Sequence, residues 1–134
     1  MVFTSGITCV AELARLERPS VYMTGGELNR YSMSLNGSQA LASVRTLSFD
    51  QHFMGVTGYT ARTGIACGSS EETSLKQARI ERADEVIALM DASKIGRRST
   101  FTVCDLERID IIVNDGELPA EFMQACANAG VEAL

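Results

Sequence analysis

With 134 residues, 46% of them hydrophobic and 22% charged, the chain has the makeup of one soluble globular domain with a real core. Its net charge of −5 and pI near 4.8 exclude a nucleic-acid-binding surface on this chain, because phosphate neutralisation supplies most of that affinity. The densest basic spot, Lys94-Ile-Gly-Arg97-Arg98, is too small to change this.

No apolar run approaches the ~20 residues of a membrane helix. No positive charge precedes the apolar residues of the N-terminus, so no signal peptide is read and a cytoplasmic protein is expected. The cysteines Cys9, Cys67, Cys104 and Cys126 are widely spaced, without a C-x-x-C, and His52 has no cysteine near it in sequence. Zinc is therefore not expected, and reduced, buried thiols are. The sequence carries no nucleotide or cofactor motif, so neither a metal nor a cofactor is expected.

Val2-Phe3-Thr4 is a short predicted strand, and Thr8 to Leu16 a helix with Val10, Leu13 and Ala14 on one side. Pro19 ends that helix, Val21-Tyr22-Met23 is the next strand, and Gly25-Gly26 breaks the pattern. A short extended piece over Tyr31 to Leu35 precedes a helix from about Ser38 to Arg45, with Ala40, Leu41 and Val44 apolar. Phe49 to Val56 holds a strand. Residues 57 to 68, with Gly58, Gly64 and Gly68, read as a long loop. Ser69 followed by Glu72 is a capping box that starts a helix running to Ala83. Glu85 to Met90 is a nearly continuous apolar run, suited to a central parallel strand covered on both faces. Strands over Ser99 to Val103 and Ile109 to Val113 follow. Pro119 opens a helix to Ala127, Gly130 stops it, and Val131 to Leu134 is a last short strand. This alternation predicts an α/β fold, a mainly parallel sheet with helices on its faces. A single domain over residues 1–134 is expected, and the chain's start almost directly in a strand suggests a portion of a longer protein.

In such sheets ligands bind outside the carboxyl ends of the strands. Asp91-Ala92-Ser93-Lys94 directly follows the predicted central strand: Lys94 suits a phosphate and Asp91 a sugar hydroxyl, or Asp91 simply caps a turn. Glu72 and Lys76, spaced i,i+4, form either a surface ion pair or an anion site near a helix start. Thr24-Gly25-Gly26 makes either an anion nest or a plain turn, and Gly58 either a close ligand approach or a tight exit from the sheet. His52 reads as a core or strand-face histidine, since no nucleophile or carboxylate dyad accompanies it. Asp110 and Asp115 read as strand-end capping and a turn.

Taken in order, these pieces resemble the effector-binding domain of the DeoR family of bacterial transcriptional repressors. The resemblance spans nearly the whole chain: Thr4-Ser5, Thr24-Gly25-Gly26-Glu27-Leu28, Phe49-Asp50, Phe53-Met54-Gly55, Gly58, Gly64, Glu72, Lys76, Ala83-Asp84-Glu85-Val86 and Asp91-Ala92-Ser93-Lys94-Ile95-Gly96. It implies a fold similar to ribose-5-phosphate isomerase and the CoA transferases, and a phosphorylated sugar or related metabolite as effector. It also implies a homo-oligomer that reaches DNA only through an N-terminal helix-turn-helix domain, which this sequence does not contain. The family's first strand–loop–helix, with its Gly-Thr/Ser-Thr phosphate loop, is missing as well.

Gly55-Val56-Thr57-Gly58 stands where the family commonly has Gly-Ala-Asp-Gly. Thr57 thus replaces an acid that takes part in catalysis in the related isomerases, which favours a sensor over an enzyme. The expected contacts are Lys76 and Lys94 to phosphate, Asp91 to a hydroxyl, and Thr24, Gly25, Gly26 and Gly58 as loop contacts, with Glu72 beside Lys76. The rival reading is a sugar-phosphate isomerase on the same fold, with Glu72 or Asp91 as its base.

Overall fold

The computed structural model describes all residues, 1–134. The chain forms two compact units, residues 1–47 and 48–134.

In the first unit, β1 (Val2–Thr4) pairs in parallel with β2 (Val21–Met23), and α1 (Ile7–Leu13) connects them. The helix is shorter than the expected Thr8–Leu16. None of its residues is fully buried, so little packing holds a further turn. The expected extended piece at Tyr31–Leu35 is instead part of an antiparallel hairpin, β3 (Glu27–Asn29) and β4 (Ser34–Asn36), with Tyr31 in its turn. The Asn29 side chain closes that turn by accepting from the N–H groups of Tyr31 and Ser32. Helix α2 (Ser38–Arg45) has the expected bounds, and Ala40 and Val44 on its apolar face are fully buried.

In the second unit, β5 (Phe49–Gly55), β8 (Ala83–Leu89), β10 (Ile111–Val113) and β11 (Glu132–Ala133) form an all-parallel sheet in that spatial order. The apolar run predicted to be central is central: β8 lies between β5 and β10. On one sheet face Met54, Ala88 and Ile112 stand in register, large beside small beside large, all essentially without exposure. They join one core with Phe122 and Cys126 of α4 (Ala120–Ala129) and Ile80 of α3 (Ser70–Arg82). Gly130, in the left-handed region at φ 77°, ends α4 where the sequence predicts a stop.

The stretch 57–68 is not the loop the glycines suggest. It holds β6 (Gly58–Thr60) and β7 (Gly64–Cys67), which with β9 (Phe101–Cys104) form an antiparallel three-stranded sheet. The predicted strand over Ser99–Val103 belongs to this second sheet rather than to the parallel one. Gly64 serves close approach of two backbones: a Cβ there would lie 2.5 Å from the Cys104 carbonyl oxygen, and its φ is 71°.

The thiols follow expectation in part. Cys67 and Cys126 are buried, and Cys104 is half-buried, with desolvation pushing its pKa up to about 11. Cys9 is exposed, because it sits on the solvent side of a helix that buries nothing fully.

Ser69 caps α3 as the capping box predicts, its side chain accepting from the Glu72 N–H at 3.3 Å. Ser69→Ala is expected to cost about 1 kcal/mol, read as a lower urea midpoint at unchanged slope.

Candidate functional site

The register of the parallel sheet aligns Gly55, Leu89 and Val113, so the carboxyl ends of β5, β8 and β10 lie side by side. Adjacent strands sit about 4.8 Å apart, which places three strand ends within roughly 10 Å. Polar groups stand at each of the three ends.

At the β5 end, Lys76 reaches across from α3. Its Nζ donates to the Gly55 carbonyl at 2.9 Å and lies 3.4 Å from Glu72 Oε1. Its side chain is only 11% exposed, so the stem is covered while the ammonium is held at the strand end. The ion pair of the first alternative exists, and it stands at the carboxyl end of β5. Glu72 is thereby committed to Lys76 rather than standing as an unengaged base.

At the β8 end, Asp91 Oδ1 accepts from the Ser93 N–H at 2.8 Å and also from the Ser93 hydroxyl. These bonds hold its carboxyl below the ordinary range, the hydroxyl contributing most, with the positive charges of Lys94 and Arg97 adding to the effect. Asp91 caps the 3-10 turn Ala92–Lys94 as the turn reading predicts. Asp91 and Lys94 line one cleft of about 370 Å³, together with Leu89, Met90, Val113, Asn114 and Asp115. The last two close the β10 end and join the cleft against the expectation of a plain turn. The signal was available, since they follow a parallel strand as directly as Asp91 does. Asn114 is fixed there: its amide donates to the Leu134 carbonyl at 2.6 Å and its Oδ1 accepts from the Gly116 N–H at 3.0 Å.

Gly58 lies in β6, buried, with its α-carbon against the Arg97 backbone. Thr57 is exposed between β5 and β6. His52 is a buried strand-face histidine, as expected, and its Nε2 has no hydrogen-bond partner. Burial, then the charges of Arg79 and Lys76, lower its pKa to about 4.

In the first unit, Thr24 is buried, its hydroxyl donating to the Gly25 carbonyl at 2.9 Å while its own carbonyl accepts from the Ser43 hydroxyl at 3.0 Å. Gly25 and Gly26 both have positive φ, and a Cβ on Gly26 would collide with the Asn36 carbonyl. The loop is thus bound to α2 and β4 within its own unit.

In parallel sheets of this kind ligands commonly bind outside the carboxyl ends of the strands, the edge at which these polar groups gather. Residues 1–116 match the family model of the DeoR C terminal sensor domain, and the chain belongs to that family. It is 33% identical over its full length to a candidate aga operon transcriptional repressor of Escherichia coli O157:H7, covering 50% of that protein. It is 33% identical over 86% of its length to the HTH-type transcriptional regulator GlpR of Haloferax volcanii, covering 45%. It is 30% identical over 99% of its length to the HTH-type transcriptional repressor GlcR of Bacillus subtilis, covering 51%. The chain thus spans about half the length of the curated relatives it matches, and those relatives are named as regulators or repressors of transcription. No helix of the chain is long and apolar enough to cross a membrane.

Proposed function

We propose that this domain senses a phosphorylated sugar or related metabolite, bound at the carboxyl ends of β5, β8 and β10, and transmits its presence to a DNA-binding domain. The observation that carries the reading is the pair of lysines held at adjacent strand ends, Lys76 over the Gly55 carbonyl and Lys94 in the cleft beside Asp91. A phosphate carries about −1.5 to −2 charges at pH 7 and takes charge-assisted hydrogen bonds from such groups. Asp91, kept ionised, offers an acceptor for hydroxyls. Gly58, Thr24, Gly25 and Gly26 are candidate loop contacts on the strength of the family resemblance, and Glu72 acts through Lys76.

The mechanism is a population shift. The effector favours one arrangement of the sensor, and coupling of about 1–3 kcal/mol changes operator affinity some 5–150-fold. The working particle is a cytoplasmic homo-oligomer, following the family habit.

A thermal-shift screen of phosphorylated sugars against their unphosphorylated counterparts tests this. A true effector at ~100 times its dissociation constant adds about 2.7 kcal/mol of stability. The free sugars are expected to add far less, and Lys76→Met and Lys94→Met each to weaken the hit by about tenfold or more. Equal stabilisation by a sugar and its phosphate would remove the phosphate from the reading.

A further inference from the structure

Side chains along a strand alternate between the two faces of its sheet. Both α-helices of the second unit pack on the face that carries Met54, Ala88 and Ile112. The opposite face carries Phe53, Ile87 and Ile111 in one register row and Gly55, Leu89 and Val113 in the next. Phe53 is 59% exposed, Leu89 42% and Val113 38%. A parallel sheet is ordinarily covered on both faces, so three large apolar side chains exposed in adjacent rows mark an unpartnered surface.

The rim of this face is acidic. Glu132 closes the Phe53 row beyond Ile111. Glu85 stands one row nearer the amino ends, where its Oε1 accepts from the Gln51 amide at 2.8 Å. No lysine or arginine stands in these three rows. The chain as a whole carries −5, so a second copy would bring like charge to like. A helix whose apolar stripe is flanked by lysine or arginine matches the surface in both respects. A DNA-binding domain is where such a helix is expected, since binding to phosphates requires a basic surface.

We propose that the exposed face of the parallel sheet docks a basic amphipathic helix of the DNA-binding part of the regulator. This rests on the sensor reading above and names the surface through which the sensor acts. The helix lays apolar residues spaced i, i+3, i+4 and i+7 over Phe53 and Leu89, and sets its cations against Glu85 and Glu132. Leu89 and Val113 end the face and also line the effector cleft. A ligand in the cleft and a helix on the face therefore share two side chains, and each biases the fit of the other.

Titration of the whole chain with a synthetic helical peptide, leucines at i, i+3, i+4 and i+7 and lysines elsewhere, tests the proposal. Amide NMR is expected to show saturable shifts at Phe53, Leu89 and Val113. A counterpart peptide with glutamate for lysine is expected to bind about tenfold or more weakly. Phe53→Gln alters an exposed position, so it is expected to keep the fold and to lose about tenfold or more in peptide affinity. The sugar phosphate that stabilises the chain most is expected to change the peptide's affinity about fivefold or more, and an unchanged affinity overturns the coupling through Leu89 and Val113. Equal binding by the parent and Phe53→Gln, equal binding of the two peptides, or no saturable binding overturns the docking surface. Self-association of the parent that Phe53→Gln abolishes overturns it in favour of a second copy on this face. The sensor reading is decided separately, by the sugar-phosphate screen.

Discussion

Replacing Ile112 with alanine is expected to lower the stability of the protein by about 2–5 kcal/mol. Ile112 has no solvent exposure and stands in register with Ala88, which in turn pairs with Met54. The row is filled from both ends around a small central residue, and β10 is held on both sides by β8 and β11. Neighbours on two paired strands have little freedom to move into the space, so the cavity persists and adds to the lost transfer energy. Ile112→Val removes one methylene and should cost only about 0.5–1.5 kcal/mol. Urea unfolding of the two variants measures both. A loss below about 1 kcal/mol for the alanine variant would contradict a tightly packed row.

Acid is expected to weaken the protein through His52. The folded-state pKa is lowered from 6.5 to about 4, first by burial and then by the charges of Arg79 and Lys76 on α3. The unfolded chain therefore takes up a proton near pH 6.5 while the folded chain resists until about pH 4. The contribution is fully present above pH 6.5 and is lost progressively as pH falls to about 4. At about 1.36 kcal/mol per unit the total is about 3 kcal/mol. His52→Leu removes the titrating group, so the parent should lose about 3 kcal/mol more than the variant between pH 7 and pH 4. Identical pH slopes for the two proteins would show that His52 is protonated as readily in the folded state as in the unfolded one.

Parts of this fold are legible in the sequence for identifiable reasons. Ser69 and Glu72 announce the start of α3 because an orphan N–H needs a side-chain acceptor there, and the structure supplies it. The run Glu85–Met90 announces a central strand, and β8 lies between β5 and β10, but the expected cover on both faces is incomplete: Phe53, Leu89 and Val113 on one face stay exposed. The hairpin β6–β7 is not legible, because Gly58 and Gly64 look like loop punctuation until Arg97 and Cys104 are seen pressing against them. Those contacts join residues about forty apart in sequence, and a local pattern does not carry them.

The site divides in the same way. Asp91 and Lys94 are legible from position alone, as polar residues directly after a buried parallel strand. The direction of Lys76 is not, because its i,i+4 spacing to Glu72 fits a solvated pair equally well and only the Gly55 carbonyl reveals where the ammonium stands. Asn114 and Asp115 resemble an ordinary turn, and their place in the cleft depends on β10 lying beside β8.

The most direct test of the sensor account is amide hydrogen exchange of the chain with and without the sugar phosphate that stabilises it most in the screen. Protection is expected to rise at Gly55, at Met90–Lys94 and at Asn114–Asp115, the carboxyl ends of three neighbouring strands. Protection confined to the opposite, amino-terminal ends of β5, β8 and β10 would contradict it.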